Sequence, residues 1–102
     1  MITGYFFKIK DNKVETWREW CSLLAGKYGR EAAETLSEEG LIREFFVIFN
    51  RGPEYFTIGF VEHEGKILPT NMDKKINIKH KEKKKECLEY IGPAYVLYDL
   101  EA

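Results

Sequence analysis

Cysteine is rare in this sequence and is not placed for metal or disulfide chemistry. The chain has two cysteines, Cys21 and Cys87, and they show neither the short spacing of a zinc site nor the even series of a disulfide framework. Both fall on apolar positions of predicted helices. This placement favours reduced, buried thiols over a disulfide, and we assign them no functional role.

Long apolar runs and an excess of charge of one sign are also missing. No uninterrupted apolar stretch approaches the roughly 20 residues that cross a bilayer, and the residues from Met1 to Tyr5 carry no basic leader region. The 16 Lys and Arg residues oppose 17 Asp and Glu residues, which leaves a net charge of -1. No overall field therefore favours nucleic acid or an anionic membrane, and we expect a cytoplasmic protein with neither partner.

Familiar catalytic signatures are absent. The sequence contains no glycine-rich phosphate loop, no metal-ligand spacing and no Ser-His-Asp or Cys-His order that can be placed in space. One strong local charge feature remains, the run KHKEKKKE over residues 79–86. It either holds phosphate groups or forms the solvated face of a helix, with its positive charge toward the helix C-terminus. We expect no cofactor and no metal ion.

Apolar residues are abundant enough for the core of one domain over residues 1–102, since 44% of the chain is hydrophobic. Period-two alternation from Ile2 to Lys10 predicts a first strand. The nearly continuous apolar stretch 41–50 predicts a second strand, and a turn then returns the chain along a third strand over 55–63. A fourth strand is predicted over 95–100.

Two helical regions separate these strands. An apolar stripe at three- and four-residue steps defines the first region, with Trp17, Trp20, Cys21, Leu24 and Tyr28. Gly26 and Gly29 should divide this region into two pieces, of which the second is capped by Gly40. The last helix should carry His80 inward and stop at Gly92.

The predicted order is β-α-β-β-α-β, the split ferredoxin-like arrangement of an α+β fold. Right-handed crossovers place the helices on one face of a four-stranded antiparallel sheet. We assign the fully apolar face of the third strand, with Phe56, Ile58 and Phe60, to the helices. Its mixed face, from Tyr55 to His63, then suits a ligand or a partner sheet.

The helix-free side of this sheet needs a cover. Under one choice of strand parity it carries Phe6, Phe46, Ile48 and Val61, which is more than the roughly few hundred Å² of contiguous apolar surface that a monomer exposes. A two-fold homodimer, sheet against sheet, is the simplest closure.

Three segments carry a family resemblance: GYFFKIKDNKVETWREW, EEGLIREFFVIF and KECLEYIGPAYVLYDL. Together with the chain length and the predicted layout, they resemble the dimeric α+β barrel superfamily, and within it a group of small uncharacterised prokaryotic proteins. That superfamily includes cofactor-free quinol monooxygenases, haem-degrading monooxygenases, muconolactone isomerases, sugar mutarotases and stress-response proteins. The resemblance implies a homodimer with an interior pocket for a small organic molecule, but it does not select the reaction.

His80 is the most notable titratable residue, because it stands where an aliphatic residue would be ordinary. The haem-degrading relatives use a histidine on the corresponding helix as axial ligand, with an Asn on the first strand and a Trp elsewhere in the pocket. Here no Asn occurs between Ile2 and Lys10, and both tryptophans lie on the first helix. His80 is therefore either a hydrogen-bonded structural residue or a catalytic one.

Arg43 and Glu44 are neighbours on the second strand, so one of them must enter a largely apolar layer, where a charge is costly unless paired. Lys8 is the expected partner of Glu44 if both face the interior; otherwise both reach water at a rim. A carboxylate held in such a cavity would have the shifted pKa of a base. Glu44, Lys8 and His80 are our catalytic candidates.

His63 either lines the mouth of a cavity with Tyr55 and Thr57 or ends its strand in solvent. The hydroxyls of Tyr55 and Tyr95 either contact a ligand, as in mutarotase-like relatives, or belong to core or interface aromatics. These are our ligand-binding candidates. The first functional hypothesis is a cofactor-free isomerase or monooxygenase, and the second is a non-catalytic binding or stress-associated dimer.

Overall fold

The structure, a computed structural model, describes the chain from Met1 to Ala102. Its elements are β1 (Ile2–Ile9), α1 (Val14–Ala25), α2 (Gly29–Glu38), β2 (Leu41–Arg51), β3 (Glu54–His63), α3 (Lys75–Cys87) and β4 (Leu88–Ala94). The strands form one sheet in the order β2-β3-β1-β4, and every neighbouring pair is antiparallel. The predicted α+β class with a four-stranded antiparallel sheet is confirmed.

The first helical region is divided where the glycines predicted a break. α1 ends at Ala25, before Gly26, and α2 begins at Gly29. Gly40 follows α2 with a φ of 76°, a left-handed conformation that glycine adopts without steric cost. The division is needed because one continuous helix over this region would be longer than the strands it covers.

The helices pack on the face of β3 that we assigned to a ligand or a partner sheet. Thr57, Gly59 and Val61 are buried toward the helices, so the assignment of Phe56, Ile58 and Phe60 to the helices is wrong. The helices cover this face because its small residues leave room for large side chains from β2 and the helices. A Cβ at Gly59 would overlap the ring of Phe46 on β2.

Phe46 connects the sheet to the helices. Its ring lies 5.9 Å from the ring of Trp17 on α1 and 6.4 Å from that of Phe7 on β1, centroid to centroid. The buried core next to it consists of Ile9, Trp17, Trp20, Ile76, Cys87 and Leu88. The predicted stripe of α1 is therefore the face that docks on the sheet.

The opposite side of the sheet is the helix-free face, formed by Phe6, Phe45, Val47, Phe49, Phe56, Ile58 and Phe60. Stacked rings cover it: Phe49 and Phe56 have centroids 5.3 Å apart, and Phe45 and Phe60 5.1 Å apart. Phe45, Val47 and Phe49 remain 39%, 43% and 41% exposed. The helix-free face is thus aromatic and uncovered in the single chain.

The predicted membership of this face is correct in part. Phe6 belongs to it and stacks on Phe56 at 5.6 Å between centroids. Phe46, Ile48 and Val61 point to the helices instead, because they pair with the buried residues of β3 or are among them. The error is one of parity, which in a period-two strand moves every side chain to the other face.

The last strand begins earlier than predicted. α3 ends at Cys87 and β4 runs from Leu88 to Ala94, so the prediction of a strand over 95–100 is wrong. Cys87 and Leu88 are buried in the core, and Leu88 pairs with Ile9. Pro93 is tolerated because β4 is an edge strand, next to a break in its register with β1. None of the helices has the length and apolarity needed to cross a membrane.

Candidate functional site

A cavity of about 840 Å³ lies between the three helices and β2. On this side α2 presents the small residues Gly29, Ala32 and Ala33, which fill little of the space between the helices. Its apolar wall includes Leu24, Phe46 and Ile76. Its polar lining is Thr35, Glu39, Glu44, Thr70, Asn77, His80, Lys81 and Lys84.

His80 faces the cavity from α3 in a defined protonation state. Its Nδ1 accepts a hydrogen bond from Nε1 of Trp20 at 2.8 Å, and since an indole nitrogen only donates, Nδ1 carries no proton. The rings of Trp17 and Trp20 stack near the imidazole, with centroids 6.4 and 6.0 Å away. His80 is held as the tautomer that is protonated at Nε2.

Burial keeps this imidazole neutral. Burial, helped by the smaller effect of the Lys84 charge, lowers the pKa of His80 to about 3. No buried side-chain nitrogen or oxygen lacks a partner, so Nε2, which makes no bond within the chain, reaches accessible space. His80 therefore offers the cavity an N–H donor near neutral pH.

Glu44 lines the same cavity from β2. Burial raises the pKa of its carboxyl group above the usual range, Glu39 raises it too, and Lys84 opposes the shift. No lysine or arginine lies within ion-pair distance of this carboxylate. Glu44 is thus a partly desolvated acid without a fixed partner.

The predicted pairing of Glu44 with Lys8 is wrong. Lys8 lies on the other side of the sheet, where its Nζ is 3.5 Å from Oε2 of Glu54. The reason is register: Lys8 pairs with Phe56, whereas Glu44 pairs with Val61. Lys8 therefore has no part in the cavity.

His63 is a structural residue at the end of β3. Its side chain is buried, so both the predicted cavity mouth and the solvent-exposed strand end are wrong. Nδ1 donates to the carbonyl oxygen of Gly65 at 2.7 Å, and Nε2 accepts from Oγ1 of Thr3 at 2.8 Å. Both ring nitrogens are satisfied within the chain.

The two tyrosines also lie outside the cavity. Tyr55 pairs with Ile9 and Asn50 and packs against the core. Tyr95 follows β4 and is 80% exposed. Of the residues predicted for the site, the structure brings together His80 and Glu44 alone.

Lys84 is one of the cavity residues that the sequence pattern did not single out. It stands one helical turn after His80, and its Nζ lies 5.9 Å from the ring centroid of Phe46. The four-residue spacing was the available signal, because such residues share a helix face. The lysine run hides this signal, because all its lysines share the same two interpretations, phosphate binding or a solvated helix face.

Neither thiol chemistry nor metal binding is favoured by the residues around this cavity. Burial raises the pKa of the Cys21 thiol to about 11, which makes this cavity-lining group a poor nucleophile at neutral pH. No group of three or more His, Cys, Asp or Glu side chains is placed to hold a metal ion. The cavity thus offers a neutral hydrogen-bond donor, His80, and a desolvated carboxyl group, Glu44, between largely apolar walls.

Comparison with known proteins finds one family. Residues 5–101 match the family described as Family of unknown function (DUF6176). No curated protein and no solved structure matches the chain.

Proposed function

Since the chain belongs to DUF6176, a family of unknown function, we propose from its cavity that it binds a small organic molecule there and acts on it without a cofactor. The observation that supports this proposal is that His80 and Glu44 both line one cavity of about 840 Å³. Ligand pockets typically combine apolar walls with a few polar groups and a perturbed pKa. Both features are present here.

Isomerisation by proton transfer is the reaction that this pair suits best. Glu44, when ionised, takes a proton from the carbon beside a ligand carbonyl, and the C–H electron pair moves to form an enolate. The Nε2–H of His80 donates to the enolate oxygen, as neutral imidazoles do at such sites. In a β,γ-unsaturated carbonyl ligand this enolate is a dienolate, and the Glu44 carboxylic acid returns the proton to its γ-carbon. The double bond then lies between the α- and β-carbons, which completes the isomerisation.

The raised pKa of Glu44 favours this role. A carboxylate whose pKa lies above its usual range is a stronger base when ionised, and its acid form is better populated for the return step. A monooxygenase would use the same enolate but needs dioxygen as a second substrate. The alternative function is a binding protein without catalysis, in which His80 and Glu44 only orient the ligand.

We also propose that the chain is a ferredoxin-like protomer of a dimeric α+β barrel. The sheet order β2-β3-β1-β4, with helices connecting β1 to β2 and β3 to β4, supports the first part. The exposed phenylalanines of the helix-free face support the second, because water contact at stacked aromatic rings is unfavourable. A second copy with the same face is the symmetrical cover.

The enzymatic proposal is tested by proton exchange in D₂O. Cyclohexanone and an unsaturated γ-lactone are incubated with the protein, and deuterium uptake beside the carbonyl is followed by NMR. We expect the wild-type protein to accelerate uptake, and Glu44→Gln to lose this acceleration by at least about 100-fold, the scale of one acid–base group. Glu54→Gln, which removes a carboxylate of the helix-free side, should exchange at the wild-type rate.

The outcomes separate the two functions. Exchange that persists in Glu44→Gln overturns the catalytic role. A rise in melting temperature with the lactone, without any exchange in the wild-type protein, favours the non-catalytic binding protein instead.

A further inference from the structure

The residues after β4 do not pack on the rest of the chain. Residues 95–102, the C-terminal segment, belong to no helix or strand, and none of the backbone hydrogen bonds outside the regular elements involves them. Its large side chains point into solvent: Tyr95, Leu97, Tyr98 and Leu100 are 80%, 94%, 79% and 83% exposed. The segment is therefore unpartnered in the single chain.

Its composition is that of a strand. The letters YVLYDL combine aromatic, β-branched and aliphatic residues, which favour extended backbone and pack on a pleated surface. Apolar side chains occur on both faces of this segment when it is extended. Such a strand is stable only where neighbours cover both of its faces.

The sheet offers one edge that can receive it. β4 is one edge, but Pro93 within it lacks the N–H that a neighbouring strand would need. β2 is the other edge, since it pairs only with β3. The C-terminal segment follows β4, so three strand spacings of roughly 4.8 Å each separate it from the β2 edge of its own sheet.

β2 also presents the right chemistry. It carries Arg43 and Arg51, and neither guanidinium is in an ion pair. The C-terminal segment carries Asp99 and Glu101 near its end. An antiparallel approach brings these acids to the start of β2, where the Arg43 guanidinium lies over the ring of Phe45 at 4.8 Å.

We propose that the C-terminal segment of one copy adds as a strand to the β2 edge of a second copy, antiparallel to it, with Asp99 beside Arg43. The inference deepens the proposed dimer and rests on it, since stacked sheets bring the two edges within reach. Extended chain covers roughly 3.3 Å per residue, which lets the segment cross the roughly 10 Å between stacked sheets. Two-fold symmetry makes each copy both donor and receiver.

The test is a charge-reversal cycle read by sedimentation equilibrium of the full-length protein. Asp99→Arg and Arg43→Asp should each weaken the dimer about tenfold, because each places like charges together. The double variant should return to within about threefold of the wild-type Kd, since the pair is restored with its signs exchanged. Arg51→Asp is the matched control at the far end of β2, and its Kd should stay at the wild-type value.

Removal of the segment gives the second measurement. A chain that ends at Ala94 should have a dimer Kd raised at least about 100-fold, because several large apolar side chains lose their cover. Failure of the double variant to recover, or an unchanged Kd in the shortened chain, overturns the proposal.

The sheet-face dimer is judged separately. If Phe49→Glu yields monomers while the shortened chain dimerises normally, the face contact stands and the strand addition falls. If Phe49→Glu still dimerises, the face contact falls, and the strand addition, which rests on it, falls with it. A wild-type protein that is monomeric overturns both.

Discussion

Burial sets the protonation of individual residues in this protein, and His80 is the clearest case. The indole of Trp20 donates to Nδ1, and an imidazolium would lose that bond while its charge stayed desolvated. The folded state therefore resists protonation far more than the unfolded chain does. This difference makes the free energy of unfolding depend on pH.

We expect the folded protein to lose stability as the pH falls from about 6.5 toward about 3, the two pKa values of His80 in the unfolded and folded states. In this window the unfolded state takes up the proton first, so acid favours unfolding. At pH 4 the loss from this group is on the order of 3 kcal/mol. Urea unfolding of wild type and His80→Gln at pH 7 and pH 4 measures it.

Glutamine is the informative replacement, because its amide oxygen accepts from Trp20 but does not titrate. Glu44 acts with the opposite sign, since its raised pKa makes the folded state bind its proton more readily as the pH falls. The comparison of the two proteins at each pH cancels that contribution. Equal pH dependence of wild type and variant would contradict the role given to burial of His80.

The two central residues of the site, His80 and Glu44, could be identified from the sequence. His80 interrupted an apolar helical stripe, and Glu44 stood in an apolar strand, so each was anomalous in its own element. The assignment of Lys8 to the same site was wrong, and the reason lies in strand register. Its pairing with Glu44 depended on the relative parity of β1 and β2, and nothing in one strand's pattern fixes the parity of another.

At the level of elements, small residues decide which face of the sheet the helices cover. Gly59 carries no side chain, and the Phe46 ring lies over its Cα between Trp17 and Phe7. Gly59→Ala should lower the free energy of unfolding by about 1–3 kcal/mol, the usual cost of overpacking. Denaturant unfolding measures the change.

Gly92 provides the matched control for this substitution. It also lies in a strand, but a Cβ there meets nothing within 4 Å. Gly92→Ala should change stability by no more than about 0.5 kcal/mol, as at ordinary surface positions. If both variants lose the same amount, strand propensity and not the contact with Phe46 explains the effect.

The elements were more predictable than their ends and faces. The break in the first helical region at Gly26 and Gly29 follows from the low helix propensity of glycine, and the structure contains it. The choice of helix-covered face was missed because apolar content favours Phe56, Ile58 and Phe60, whereas the decisive quantity was the room above β3. The end of α3 was missed because Gly92 and Pro93 suit an edge strand as well as a helix stop.

At the scale of the whole molecule, the uncovered phenylalanines predict self-association. Phe49→Glu should convert the proposed dimer to a monomer at micromolar concentration, because a charge buried against stacked rings is costly. Sedimentation velocity distinguishes the 12.0 kDa chain from twice that mass. The sequence predicted the need for this cover, although it named only Phe6 among the residues that create it.

Ile78→Glu is the control, since Ile78 on α3 is 39% exposed and Phe49 is 41% exposed. The two substitutions remove similar apolar area on opposite sides of the sheet. Loss of dimer in both would point to general destabilisation and contradict the role of the helix-free face. Loss in Phe49→Glu alone is the expected result.

The proline of β4 has one further consequence. Polymerisation of sheet proteins into fibres requires two open edges, so that each added chain exposes a new one. Pro93 and the register break beside it close one edge here, which leaves a single growing side. Two chains that join through the remaining edge leave no open edge for a third, so Pro93 protects the protein from filament growth.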